Sequence, residues 1–174
     1  MIRAMLHVFR HPSISAFESE RANANLGRAI LLVASLGLIA GFIGGIVNVL
    51  FANNGAADIF GSAIETAMKF IAAFIAVQGF LYGTLRIMGG KSNFETQAYL
   101  GSIVFAPCTA LASLADIPPG IGTYLAILVL LYQVVLTDIA MRAAHGRHLH
   151  PIASPVLSIL SGLLGWVVIS VLPL

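Results

Sequence analysis

Two oppositely charged side chains, Glu65 and Lys69, stand four residues apart inside an apolar stretch. Ionisable groups in a membrane-spanning helix are costly and usually face a partner, a cavity or a pathway. Joined by Gln78, Gln133 or Asn48, the pair would form part of a polar route or contact a partner helix. The other interpretation is a local ion pair, because a lysine stem can extend to the membrane interface. Asp138 lies nearer the other end of its own apolar stretch, so it would not complete one compact site with them.

The histidines form a second candidate group. His7 and His11 are one helical turn apart, a spacing that suits one metal ion. The run His145-x-x-His148-x-His150 could add ligands if its loop folded back, and such a group could titrate near neutral pH. Since no carboxylate or thiol completes a recognisable ligand set, we interpret the histidines as part of a basic interfacial surface. We predict no metal site and no cofactor.

Enzyme signatures do not emerge from the sequence. The run Gly89-Gly90-Lys91-Ser92 ends like a phosphate-binding loop, but Leu85 stands where the first glycine of that motif belongs. No strand is predicted before it. Neither a zinc-protease HExxH nor a GxSxG nucleophile turn occurs. We therefore predict that the protein is not an enzyme.

Five apolar stretches must position these side chains. Hydrophobic residues make up 59% of the chain and charged residues 9%, whereas about a quarter of a soluble domain is charged. We predict an all-α integral membrane protein, with an N-terminal segment over residues 1–25 and a five-helix transmembrane domain over 26–174. Stretches of about 20 apolar residues fit membrane spans, and they are expected at about Leu26–Phe51, Gly61–Met88, Thr96–Leu114, Tyr124–Met141 and Ile152–Leu172.

The cationic residues fall in alternate gaps between these stretches, and this pattern predicts the orientation. Lysine and arginine concentrate in loops on the cytoplasmic side, so the N-terminus is expected inside and the C-terminus outside. Because the cations flank apolar spans, we expect them to meet anionic lipid headgroups and not nucleic acid. Only Lys69 lies within a span; the other eight cations are Arg3, Arg10, Arg21, Arg28, Arg86, Lys91, Arg142 and Arg147.

The N-terminal segment is predicted to contain a short amphipathic helix. Ile2, Met5, Leu6 and Phe9 share one face at helical spacing, and Pro12 should end the helix. A basic amphipathic helix beside a span is typical of an interfacial helix on an anionic leaflet. The alternative is a disordered basic tail, because short isolated helices are marginal in water.

Small residues mark two of the predicted spans. Gly37, Gly41 and Gly45 recur every four residues in the first, and Gly162 and Gly165 lie near one face of the fifth. Small residues let two helices approach closely. The pattern predicts helix packing, either within the monomer or against another protein or a second copy.

A double-glycine turn and a proline in the following span carry a family resemblance. The turn lies within Ile87–Glu95, with Gly89, Gly90 and Phe94, and Pro107 follows in the next span. In their order, and with five spans, these features resemble the Yip (Ypt-interacting protein) domain family. Eukaryotic members associate with Rab-type GTPases and carry a long polar N-terminal region. This chain is similar to the compact prokaryotic members, so the GTPase partner is not carried over.

Together these patterns predict a non-enzymatic scaffold or adaptor in a membrane, expected to be a prokaryotic cytoplasmic membrane. Its partner would be another membrane protein or a second copy of the chain. The alternative is a small channel or transporter that uses Glu65 and Lys69. A third hypothesis is a metal- or pH-responsive membrane protein that uses the histidines.

Overall fold

The computed structural model describes residues 2–52, 59–115, 121–146 and 153–172. Within those ranges the regular structure is helical, with no strand, and a 3₁₀ turn at Arg21–Asn23 precedes the third helix. The prediction of an all-α membrane protein is confirmed, since four of the helices are long and apolar enough to cross a membrane. The helices are α1 (Ile2–Arg10), α2 (Ile14–Glu20), α3 (Leu26–Ala52), α4 (Ile59–Ile87), α5 (Phe94–Ala115), α6 (Ile121–His145) and α7 (Ala153–Val171).

The helix α5 forms the centre of the bundle. It packs against α1, α3, α4 and α6, and every residue from 97 to 110 is buried. Its start is fixed by Asn93, whose side-chain oxygen accepts a hydrogen bond from the backbone N–H of Thr96 at 2.8 Å. This cap satisfies an N–H group that has no partner within the helix, so α5 begins at Phe94, before the predicted Thr96.

The helix α6 runs four residues beyond its predicted end at Met141. Arg142 forms an ion pair with Asp138 one turn earlier, with 3.0 Å between Nε and Oδ2. Such pairs support a helix across a polar stretch that hydropathy alone would end. The helix stops at Gly146, whose φ of 95° is readily adopted only by glycine.

Three glycines of α3 determine how closely it approaches α4. The side-chain hydroxyl of Ser62 donates to the backbone oxygen of Gly41 at 3.3 Å. The helices are antiparallel, since residue numbers fall on α4 as they rise on α3. This glycine face is covered by α4, so the predicted packing on α3 takes place within the monomer. The residues in contact are Gly37 with Ala67, Gly41 with Ala63, and Gly45 with Ile59.

One end of the bundle gathers basic side chains, and we call it the basic end. It comprises the start of α3, the turn between α4 and α5, and the end of α6. The start of α3 adjoins that of α5, because Glu95 accepts a hydrogen bond from the backbone N–H of Leu26 at 3.2 Å. The end of α6 adjoins the α4–α5 turn, because His145 lies against Gly90. The basic residues of this end are Arg28, Arg86, Lys91 and Arg142.

The predicted N-terminal helix is present as α1 and packs on the bundle. The rings of Phe9 and Tyr132 meet edge to face with centroids 5.9 Å apart. The Tyr132 hydroxyl also donates to the backbone oxygen of Phe9 at 3.3 Å. Met5 and Phe9 pack against the core, whereas Ile2 and Leu6 of the same predicted face are exposed. The apolar face is thus divided between the bundle and its surroundings.

A second short helix, α2, was not predicted. Its start is capped by Ser13, whose hydroxyl accepts from the backbone N–H of Ala16 at 3.2 Å. Phe17 on this helix is fully buried, and α2 packs against α6. Pro12 therefore lies in the bend of a helical hairpin that docks on the bundle.

Candidate functional site: a cleft between α6 and α7

A cleft lies among α4, α5, α6 and α7. It consists of two cavities of about 510 and 520 Å³. The two cavities lie side by side and share part of their lining. Residues common to both include Phe105, Ile127, Leu130, Gln133, Gly162 and Trp166.

The cleft opens sideways between α6 and α7. Its outer wall includes Leu131, Leu163 and Trp166, which are 59%, 56% and 62% exposed. All three side chains are largely apolar. In a helix bundle that spans a membrane, such an opening faces lipid, so an occupant would enter from the bilayer.

The small residues of α7 leave the space that forms the cleft. A Cβ atom added at Gly162 would have no neighbour within 4 Å, so this glycine borders open space. Gly165, in contrast, lies against Val77 and Phe105. Ser161 uses its hydroxyl locally, donating to the backbone oxygen of Ser158 at 2.8 Å. The predicted small residues of α7 thus all line the cleft, and Gly165 also packs closely against α4 and α5.

Two glutamines contribute unmatched acceptors to the cleft wall. Gln78 is 1% exposed and Gln133 is 8% exposed, and both line the cleft. Within the described residues, the side-chain oxygen Oε1 of each is buried and has no hydrogen-bond partner. A buried acceptor without a donor costs about 1–3 kcal/mol.

A chain of hydrogen bonds leads from Gln78 to the basic end. The side-chain amide of Gln97 donates to the backbone oxygen of Gln78 at 3.2 Å. The oxygen of the same amide lies 2.7 Å from Nε2 of His145. Because that oxygen can only accept, Nε2 carries the proton and Nδ1 is left as an acceptor. His145 Nδ1 has no partner among the described residues.

Glycines make room for this polar chain. A Cβ atom at Gly101 would collide with the side-chain amide of Gln78, and one at Gly90 would collide with the ring of His145. The sequence pattern did not identify Gln97 as a site residue. Its uncharged amide within an apolar span was a signal that could have indicated a buried polar contact. The sequence pattern also grouped His145 with the loop histidines, whereas this side chain is buried within the bundle.

The charged residues predicted as a site lie elsewhere. Lys69 Nζ donates to Glu65 Oε1 on the same helix face, and neither residue lines the cleft. Asp138 pairs with Arg142 on α6. The structure thus brings Gln78 and Gln133 to one cleft. Glu65, Lys69 and Asp138 lie outside it.

The other histidines do not join His145. The rings of His7 and His11 lie 5.8 Å apart on the N-terminal hairpin. His148 and His150 lie outside the described residues. Among the described residues, no group of three or more His, Cys, Asp or Glu side chains could hold a metal ion.

The double-glycine turn has a defined backbone role. Gly89 has a φ of 87°, and its N–H donates to the backbone oxygen of Arg86 at 3.2 Å. The N–H of Gly90 donates to the backbone oxygen of Leu85 at 2.8 Å. These two bonds make a Schellman cap, which ends α4 and turns the chain toward α5.

Phe94 and Pro107, the other two residues predicted with this turn, both lie on α5. The Phe94 ring meets Tyr82 edge to face with centroids 5.4 Å apart, and Pro107 is buried within α5. The Phe94 contact thus supports the α4–α5 connection. Compared with known proteins, the chain matches no protein-family model, no curated protein and no solved structure.

Proposed function

We propose that this chain is a Yip-domain-type membrane scaffold or adaptor, which holds another membrane component in the cleft and performs no covalent chemistry. One observation carries the proposal: the cleft opens sideways between α6 and α7, through a mouth lined by apolar side chains such as Leu131 and Leu163. A site reached through such a mouth is accessible from the bilayer. Its occupant would be a lipid, a helix of another membrane protein or a second copy of the chain.

The proposal includes five spans across a prokaryotic cytoplasmic membrane. The basic end lies on the inner side of that membrane. The fifth span is α7, whose 19 residues make a helix about 28 Å long at 1.5 Å per residue. That length approaches the roughly 30 Å of the hydrocarbon core. It packs against α4 and α6, two of the helices that are long enough to span. The orientation is supported by the gathering of cations at the basic end.

The channel or transporter hypothesis has less support. Lys69 and Glu65 satisfy one another on a single helix, and they lie outside the cleft. A solute route through the cleft would instead depend on Gln78 and Gln133, which carry no charge. An adaptor role needs only the lateral opening.

Photo-crosslinking in native membranes tests the adaptor proposal. A benzophenone amino acid replaces Leu163 at the cleft mouth, and the matched control replaces Ile39, a similarly exposed residue on α3. After irradiation, the protein is extracted gently and weighed by native mass spectrometry. We expect one adduct of defined mass at position 163 and only heterogeneous lipid labelling at position 39. The same heterogeneous labelling at both positions would contradict the proposal.

A further inference from the structure

We propose that the cleft binds one acyl chain of a membrane lipid, with the lipid head at the end of the cleft farthest from the basic end. The chain terminus then points toward the basic end. This inference rests on the proposed function, because it names the membrane component that the cleft holds. Three features carry it: one end of the cleft is polar and exposed, the other end is apolar and closed, and the cleft is too small for a helix.

The end of the cleft farthest from the basic end is lined by hydroxyl groups, and we call it the hydroxyl end. Ser113 lies in the last turn of α5, Thr123 in the first turn of α6 and Ser170 in the last turn of α7. All three line one cavity and are exposed. Hydroxyl groups both donate and accept hydrogen bonds. Among the described residues, no charged side chain lines either cavity, so a lipid head at this end is held by hydrogen bonds.

The opposite end of the cleft is closed. The lining residues nearest the basic end are Thr137 on α6 and Ser158 on α7, which are 8% and 2% exposed. Gln78 and Gln133 also line this cavity, but their side-chain oxygens are buried and offer almost no polar surface. A lipid head placed there would lose its hydration without gaining partners. A chain terminus needs no hydrogen bonds and fits such an end.

Gly162 lies where the two cavities adjoin. It lines both of them, and a Cβ atom added to it would meet no atom within 4 Å. No side chain at this position of α7 therefore separates the cavities. Along α6 their walls run from Thr123 to Thr137, a distance of about 21 Å at 1.5 Å per residue. That length, with aliphatic residues such as Ile127 and Leu130 between the two threonines, suits an extended acyl chain.

The size of the cleft favours a lipid chain over a protein helix. The two cavities measure about 510 and 520 Å³, within the range of about 300–1,000 Å³ that is usual for small-molecule sites. A spanning helix about 10 Å wide and 30 Å long occupies on the order of 2,000 Å³, which is more than both cavities together. The cleft therefore cannot enclose a helix.

The single tryptophan of the chain, Trp166, reports on occupancy because it lines both cavities. Bromine quenches tryptophan fluorescence only at close contact. The purified full-length protein in detergent is titrated with phosphatidylcholine that carries bromine either near the head or near the chain terminus. This lipid has no net charge, so the basic end does not attract it.

We expect quenching that saturates at one lipid per chain. Trp166 lies one turn from Ser170, so it is close to the hydroxyl end and to the proposed position of the head. Bromine near the head should therefore quench at least about two-fold more strongly than bromine near the chain terminus.

Three variants complete the test. Gly162→Leu fills the cleft and should abolish the saturable quenching. Gly83→Leu is its control, because Gly83 also borders open space but does not line the cleft, and it should bind as the unaltered protein does. Thr123→Val combined with Ser170→Ala keeps the volume and removes two hydroxyl groups. It should weaken lipid binding about five-fold, the equivalent of about 1 kcal/mol, and it tests the site even if Gly162→Leu fails to fold.

The outcomes separate this inference from the adaptor proposal. Quenching that only rises in proportion to the added lipid, or stronger quenching by bromine at the chain terminus, would overturn the lipid inference. A protein adduct at position 163 without saturable quenching would also overturn it while leaving the adaptor proposal intact. The absence of both a defined adduct and saturable quenching would overturn both.

Discussion

The imidazole Nε2 of His145, at the end of α6, lies 2.7 Å from the side-chain oxygen of Gln97, near the start of α5. Through its amide nitrogen, Gln97 continues this link to the backbone of Gln78 on α4. Three of the helices that enclose the cleft are thus joined by buried hydrogen bonds. Such bonds are directional, so they define the relative positions of the helices more narrowly than apolar packing does.

Removing the imidazole should destabilise the protein. His145→Leu leaves the buried Gln97 oxygen without a donor, so we expect the free energy of unfolding to fall by about 1–3 kcal/mol. Unfolding is measured in mild detergent, with circular dichroism as the readout. His11→Leu, at an exposed histidine on the hairpin, is the control and should have little effect.

A double variant tests whether the two side chains act together. If they do, His145→Leu combined with Gln97→Leu should cost less than the sum of the two single changes, because no buried partner is left unmatched. Strict additivity would show that the 2.7 Å contact is not an energetic link.

The close approach of α3 and α4 supports a second prediction. A Cβ atom at Gly41 would collide with the backbone of Ser62 and Ala63, so Gly41→Ala should lower the free energy of unfolding by about 1–3 kcal/mol. Gly44→Ala, one turn along the same helix, meets open space and should be neutral or stabilising by up to about 1 kcal/mol. Equal effects of the two changes in the same unfolding assay would contradict the packing described here.

The long apolar helices could be predicted from the sequence, but the cleft could not. Hydropathy identifies which stretches are long and apolar enough to span a membrane. The predicted Leu26–Phe51 ends one residue before α3 does. Hydropathy does not say which faces of two helices meet. Gly162 and Gly165 carry the same small-residue signal and both line the cleft, yet a Cβ atom would meet open space at Gly162 and Val77 at Gly165.

The polar chain was missed for a related reason. Gln97 and His145 are 48 residues apart, and no periodicity connects positions on separate helices. The second short helix was missed because α2 has only seven residues, which is too short for a clear apolar period. Its signals were local: Ser13 as a cap and Phe17 as a buried anchor.

The turn between α4 and α5 supports a third prediction. Gly89 has a φ of 87°, a conformation that costs about 1–2 kcal/mol for a residue with a Cβ atom. Gly89→Ala should lower the free energy of unfolding by about that amount. Gly83→Ala is the control, because this helical glycine has open space around it. Gly83→Ala should be neutral or slightly stabilising. An equal fall in the free energy of unfolding for both variants would rule out a specific role for the turn.

Docking of the N-terminal hairpin depends on Tyr132. Tyr132→Ala removes both the ring contact with Phe9 and the hydrogen bond to its backbone oxygen. We expect amide hydrogen exchange over residues 2–10 to accelerate at least several-fold, because α1 loses its anchor on α6. Tyr132→Phe keeps the ring and should cause a smaller increase. Unchanged exchange in the alanine variant would show that α1 is held by other contacts.

The proposed five-span topology predicts that residues before α3 and after α7 lie on opposite sides of the membrane. Single cysteines are introduced at Ala22, which is exposed before α3, or at Leu172, which follows α7, after the buried Cys108 is replaced by alanine. Because lysine and arginine favour the inner side, a membrane-impermeant maleimide should label Leu172→Cys in intact cells and Ala22→Cys only after permeabilisation. Labelling of both from the same side would mean that α7 does not cross, and the topology would have four spans.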